Sequence, residues 1–238
     1  NKGSFSWQIP DLAHSLVRVR VSDPAHAEAF AISQSFKVIP GFQITRPNGG
    51  EKFKALERQP LEWQTAGSST KVKLEYGIFN GELWTWKPIE NVLRNQGKFE
   101  WKVPEELSSQ TKIRVTDVMD TAAKDETDQP FKIMGVFKVL TPRADEILKV
   151  EDRYEIRWET TGKVPSVKLE YSTNPDLVNS FKRLENFWNN SGKYFWTVPD
   201  SISEKVWIRV SDAVEPDSLA VSNAPFKIRP VLNWDMPV

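Results

Sequence analysis

Few residues in this 238-residue chain could carry acid–base, nucleophilic or metal chemistry, and their placement limits what they could do together. Cysteine is absent, which excludes disulfides, zinc–thiolate sites and thiol nucleophiles. The two histidines, His14 and His26, both fall within the first 40 residues, so residues 41–230 can assemble neither an HExxH zinc pair nor a His-centred triad. Both are expected to be solvated loop histidines. Carboxylates are plentiful but scattered. At 27% charged residues some pairs arise by chance, so a glycosidase-type acid pair has no positive support. One acidic stretch stands out: Asp117, Asp120, Asp125, Glu126 and Asp128, with Asp212, Glu215 and Asp217 further on. Calcium takes about six to eight oxygen ligands, which makes Asp117, Asp120 and Asp125 its weak candidates. The spacing is not kept around Asp23 and Glu28, and Asp23, Asp117 and Asp212 read more simply as loop caps. No cofactor is implied. Asn189-Asn190-Ser191 has the form of a glycosylation sequon, relevant only in a eukaryotic secretory host.

The elements that must hold these residues repeat with a period of 95. Trp63 returns as Trp158, Val72-Lys73-Leu74-Glu75-Tyr76 as Val167-Lys168-Leu169-Glu170-Tyr171, and Pro130-Phe131-Lys132-Ile133 as Pro225-Phe226-Lys227-Ile228. Such a period is too long for a solenoid and suits tandem copies of one domain. Gly3 to Pro10 matches Gly97 to Pro104 and Gly192 to Pro199, so the first residues align with the interior of a copy. The frame predicts the back part of one module over 1–40, complete modules over 41–135 and 136–230, and the first strand of another over 231–238. It predicts an excerpt of a longer array, in which the strands around Phe5–Ile9, Leu16–Val21 and Phe36–Ile39 are ordered only when something covers them. Head-to-tail addition of the strand 231–237 to another copy is a conceivable alternative.

Each copy alternates apolar and polar residues at period two. Val72, Leu74 and Tyr76 alternate with Lys71, Lys73 and Glu75, and Phe99, Trp101 and Val103 with Lys98, Glu100 and Lys102. With Phe42–Thr45, Phe53–Leu56, Leu61–Thr65, Trp84–Ile89, Ile113–Val115 and Phe131–Ile133, about seven or eight strands fit one period. The expected fold is all-β, as tandem immunoglobulin/fibronectin-III-like β-sandwich modules. Pro47-Asn48-Gly49-Gly50 supplies the positive-φ residues of a tight turn, whereas Pro142-Arg143-Ala144-Asp145 lacks the glycines and is expected to turn differently. Only Met134, Gly135 and Val136 separate the expected last strand of one module from the first of the next, which suggests a semi-rigid rod.

Thirty-two Lys and Arg balance thirty-two Asp and Glu, so no global field recruits nucleic acid or an anionic membrane. No apolar run is long enough to span a bilayer. Lys73 and Glu75 beside Lys112 and Arg114 are expected to pair across strands. The ten tryptophans divide by register. Trp63 and Trp158, with Trp7, Trp101 and Trp196, recur at inward positions and read as core anchors. Others break the repeat: Trp207 stands at the position of Lys112, Phe195 at that of Glu100, Phe187 and Trp188 at those of Val92 and Leu93, and Trp84 has Asn179 as its counterpart in the next copy. These five are the candidate contact surface, toward a module, a partner or a sugar ring, with shielding by Lys and Arg stems as the alternative.

Ile44-Thr45-Arg46-Pro47-Asn48-Gly49-Gly50-Glu51, Leu61-Glu62-Trp63, Val72 to Tyr76, Gly97 to Pro104 and Ile113-Arg114-Val115-Thr116-Asp117 together resemble the module of the Ser/Thr-rich, GPI-anchored cell-wall protein family. That module also recurs in large bacterial surface proteins. Leu140-Thr141-Pro142, Ile156-Arg157-Trp158, Tyr194 to Pro199 and Ile208 to Asp212 extend the resemblance over the second copy. It implies an extracellular or cell-surface, non-catalytic Ig-like segment used in architecture or adhesion. Its partners would be neighbouring modules, other surface proteins, copies of itself or cell-wall polysaccharide, with no nucleic acid. A carbohydrate-binding accessory array attached to a distant catalytic domain is the alternative, and it requires an exposed, coplanar aromatic platform.

Overall fold

The computed structural model describes residues 2–177 and 179–232. Every regular element among them is a β-strand, and no helix is long and apolar enough to cross a membrane. Four short strands come first: β1 (Leu16–Val17), β2 (Arg20–Ser22), β3 (Phe30–Ile32) and β4 (Phe36–Lys37). They form two separate ribbons, β1 with β4 and β2 with β3. The strand expected at Phe5–Ile9 does not form. Its equivalents in the later copies pair with a neighbour that this segment lacks, and an extended chain without a ladder partner gains nothing over solvent.

The next nine strands are β5 (Gly41–Arg46), β6 (Lys52–Lys54), β7 (Arg58–Ala66), β8 (Lys71–Phe79), β9 (Trp84–Arg94), β10 (Lys98–Lys102), β11 (Ser108–Asp117), β12 (Lys124–Glu126) and β13 (Phe131–Met134). One sheet runs β10-β7-β5 and the other β6-β13-β11-β8-β9, with β12 also on β11. The pattern repeats in β14 (Val136–Thr141), β15 (Ile147–Lys149), β16 (Arg153–Thr161), β17 (Ser166–Ser172), β18 (Lys182–Asn189), β19 (Lys193–Thr197), β20 (Ser203–Asp212), β21 (Leu219–Val221) and β22 (Phe226–Arg229). Its sheets run β14-β16-β19 and β15-β22-β20-β17-β18, with β21 on β20. These are tandem Ig-like β-sandwiches. The short strand β12 is absent from the sequence reading because Lys124, Asp125 and Glu126 carry no apolar residue to mark a buried face. By its contacts the chain divides into two compact units, Asn1–Glu51 with Arg58–Lys102 and Gln110–Lys132, and Lys52–Glu57 with Val103–Ser109 and Ile133–Val238. The terminal strand expected over 231–237 falls mostly outside the described residues.

Facing sheets meet through aromatic anchors that keep the register of the repeat. Trp101 on β10 lies edge-on to Phe131 on β13 at 6.2 Å and packs on Tyr76 of β8 at 5.8 Å. Trp196, Phe226 and Tyr171 reproduce the cluster at 6.2 and 5.6 Å. Trp63 and Trp158 are 4% and 3% exposed. Burying an indole requires an acceptor for its N–H. Trp63 Nε1 donates to Asn95 Oδ1 at 2.9 Å and Trp158 Nε1 to Asn190 Oδ1 at 2.8 Å. The amide then donates onward to the Ser69 carbonyl in one copy and the Val164 carbonyl in the other. Asn190, the middle residue of the sequon, is therefore an internal clasp. Trp7 departs from the expectation of a core anchor: it is 45% exposed, because the strands that bury Trp101 and Trp196 have no counterpart around it.

The two early turns are closer in form than their sequences suggest. Gly50 N and Asp145 N donate to the Pro130 and Pro225 carbonyls, both at 3.0 Å, and Glu51 and Glu146 receive the N–H groups of Asn48 and Arg143. Asp145 adopts the left-handed φ of 58° that Gly50 adopts at 81°, a conformation aspartate tolerates better than most side chains. The difference is confined to Gly49, where φ is 131° and a Cβ would meet Gln129 at 2.3 Å. Between β13 and β14 only Gly135 remains, because Met134 and Val136 belong to the strands themselves.

Candidate functional site

The acidic candidates are each occupied locally. Asp117 Oδ1 accepts the N–H groups of Met119 and Asp120 at 2.7 Å, and its Oδ2 accepts the Ser69 hydroxyl at 2.6 Å. Asp125 Oδ2 accepts the Ile44 N–H at 2.7 Å, which ties β12 to β5. Asp120 pairs with Lys37 at 2.5 Å. Among the described residues, no group of three or more His, Asp or Glu is placed to hold a metal ion. Asp23, Asp117 and Asp212 make the same bond to the N–H two residues on, at 2.8, 2.7 and 2.8 Å, as loop caps do.

The hydrogen bond from Lys37, followed by that from the Ala122 N–H, holds the Asp120 carboxyl below its usual range. A lowered folded-state value contributes stability that is present above the unfolded value of 3.8 and is lost as pH falls through the folded one. Lys37→Met should return Asp120 toward its ordinary titration, read from the carboxyl carbon shift by NMR. An unchanged midpoint would assign the shift to the backbone donor alone. Two tyrosines move in the opposite sense. Burial, then the Glu146 carboxylate that Tyr154 donates to at 2.8 Å, pushes the Tyr154 phenol up, and burial does the same to Tyr194.

The histidines part company. His26 is exposed and sits 3.4 Å from Asp23. His14 is not the solvated loop residue expected: its side chain is 29% exposed, Nε2 lies 3.8 Å from Asp117 Oδ1, and Nδ1 is buried without a partner among the described residues. Packing of residues 1–40 against the end of the next sandwich turns it inward, with Asp11 accepting from Ser68 as a second tie.

The five candidate contact residues differ in exposure and in local contacts. Phe187 is 70% exposed, Phe195 49% and Trp188 38%. Trp188 meets Tyr194 edge-on at 5.0 Å and donates to the Lys193 carbonyl, while Arg153 covers Phe195 at 4.5 Å. Trp207 is half-buried on β20, paired with Ser172 of β17. Trp84 is half-buried between Phe79 and Trp86, tilted 40° and 31° to them, and Lys112 lies 5.7 Å above it.

The cross-strand charges expected on the outer face form, with Glu75 opposite Arg114 and paired with Lys73, while sequence reasoning misses the stacking of the arginines on aromatic rings. Arg114 stacks on Trp86 at 3.6 Å, and Arg209 stacks on Phe181 at 3.9 Å. Glu75 and Glu170 stand directly across from these arginines in the ladder. Glu170 takes Arg209 Nη2 and Lys168 Nζ, both at 2.7 Å, and Glu75 takes Lys73 at 2.7 Å. Glu126 takes most of Arg114, at 2.7 Å, where the second copy has Val221. A Cβ at position 77 would meet the Trp86 ring at 3.0 Å, so glycine makes room for the larger aromatic, and Ser172 accompanies the smaller Phe181. The signal was present in the 95-residue register of Trp86 with Phe181 and of Arg114 with Arg209.

No protein-family model matches the chain, and no curated protein matches it. Among solved structures it is similar to the fibronectin(III)-like modules of CbhA from Clostridium thermocellum, at 11% identity and TM-score 0.29, over 83% of this chain and 100% of that one. The N-terminal four Ig domains of Dscam1 isoform 6.44 match at 10% identity and TM-score 0.36, over 89% of this chain and 54% of that one. DIP-gamma IG1+IG2 matches at 10% and 0.27, over 79% and 97%. At these values the strand order itself, rather than any neighbour, defines the fold.

Proposed function

We propose that these residues are a non-catalytic structural or adhesive segment of a repetitive cell-surface protein, held outside the cell and working beside further modules of the same kind. The observation that carries the reading is that each sandwich closes a core of its own while the connection between strands β13 and β14 shrinks to Gly135. That glycine has no freedom to spare. A Cβ on it would meet Val164 Cγ2 at 2.5 Å, and its carbonyl accepts the Ser218 hydroxyl at 2.7 Å. A protein selected to bear load or hold spacing needs this combination of independent cores and a short connection, whereas a flexible tether would put Gly/Ser-rich chain between them. Kinship with the cell-wall family, and partners among surface proteins, copies of itself or cell-wall polysaccharide, belong to the same proposal. Carbohydrate binding is the weaker reading, because Trp84 is tilted against its neighbours below Lys112 and Phe195 is covered by Arg153.

Single-molecule extension tests the main reading. Two discrete unfolding events are expected, each releasing about 310–340 Å of chain, the reach of one repeat at ~3.3–3.6 Å per residue. A single release of the whole length, or extension without a force peak, would count against it.

A further inference from the structure

The repeat provides an internal control for one cleft. In the first copy His14 fills the space beside the loop-capping Asp117, with Ser69 on the carboxylate's other oxygen. The next copy has different residues at both places. Counting from the shared Trp-x-Ile/Val-Pro segment, Ser108 stands where His14 stands; Asp212 replaces Asp117, and Val164 replaces Ser69. The imidazole and the hydroxyl are both gone, and the carboxylate remains. What stands there is a cleft of about 380 Å³, bordered by Leu107, Ser108, Ile133, Met134, Asp212 and Val214, all within one compact unit.

Asp212 is 6% exposed. Its Oδ1 accepts the N–H groups of Val214 and Glu215 at 2.8 and 3.3 Å, while Oδ2 has no hydrogen-bond partner among the described residues. That oxygen is not among the buried polar atoms without a partner, so it is open to solvent, and Asp212 belongs to the lining of the cleft. The volume far exceeds one water, whose share of liquid is about 30 Å³, and it falls in the range of small-ligand pockets at roughly 300–1,000 Å³. The walls are mostly apolar. Glu106, Glu215 and Lys163 lie at the margin.

We propose that this cleft binds a small organic cation with a flat, partly apolar body, of which imidazolium is the type, its N–H directed at Asp212 Oδ2. The ring comes either from a free heterocyclic amine or from a histidine side chain of another polypeptide, and both present the same chemistry. This goes beyond a structural role, and it survives if the surface-protein reading fails.

The test is a ¹⁵N-HSQC titration of the full chain with imidazole below its pKa, with N-acetylhistidine methylamide in parallel and acetate as control. Saturable shifts confined to residues 106–109, 133–134 and 212–215 are expected with imidazole and absent with acetate. Equal binding of the histidine amide supports a protein source, and binding of imidazole alone supports a free ligand. Asp212→Asn keeps the acceptor for the capping N–H groups and should weaken binding at least tenfold. Ser108→His refills the space from within and should abolish it. Shifts that spread over the surface without saturating, meaning an adventitious additive only, or a Ser108→His protein that titrates like its parent, would overturn the proposal.

Discussion

Replacing Trp158 with alanine should lower the stability of the second sandwich by about 3–5 kcal/mol, the usual cost of deleting a large buried aromatic. The loss has two parts. The indole is 3% exposed and leaves a cavity between the sheets, and Asn190 loses the N–H donor that orients its amide toward Val164. Trp63→Ala should cost a similar amount, but in the first sandwich, since Asn95 plays the same part there. Denaturant titration followed by fluorescence of the remaining tryptophans should then resolve two transitions, only one of which moves in each variant. A single transition shifted equally by both substitutions would show that the cores do not unfold independently.

The second large effect is expected on the outer face, at Glu170. Removing one partner from a buried, hydrogen-bonded ion pair leaves the others uncompensated. Glu170→Ala strands Arg209 and Lys168, whose side chains are 27% and 38% exposed, so solvent relieves part of the penalty and about 1–3 kcal/mol is expected. Glu75→Ala should cost less, because Arg114 keeps Glu126 at 2.7 Å. The ordering of the two variants in equilibrium unfolding checks the argument. If Glu75→Ala proves the more damaging, charge compensation by Glu126 is not what stabilises Arg114.

The outer-face network was only half legible beforehand. The period-two pattern put Glu75 and Arg114 on the same wet face, and the ladder sets them opposite each other. The pattern could not show that Trp86 lies over Gly77 and under Arg114, because that contact depends on the register between β8 and β9, which slips at two irregularities. Exposure of individual aromatics was equally out of reach. Trp207 and Phe195 share an outward parity, yet one is half-buried and the other open apart from Arg153. Parity names the face of a sheet, while neighbouring strands and long side chains decide how much of that face stays wet.

The sequence by itself determined the fold class, the 95-residue period, the inward places of Trp63, Trp101, Trp158 and Trp196, and the capping role of Asp23, Asp117 and Asp212. These follow from local chemistry repeated at a fixed interval: side-chain alternation, Asx turns and an apolar pattern that only a sheet satisfies. Only the tertiary structure decided that Trp7 is exposed while its counterparts are buried, that His14 turns inward, that Asp145 copies a glycine's conformation, and that Asp212 borders a cleft where Asp117 meets an imidazole. Each depends on residues distant in sequence, and burial is a property of what the rest of the chain places alongside.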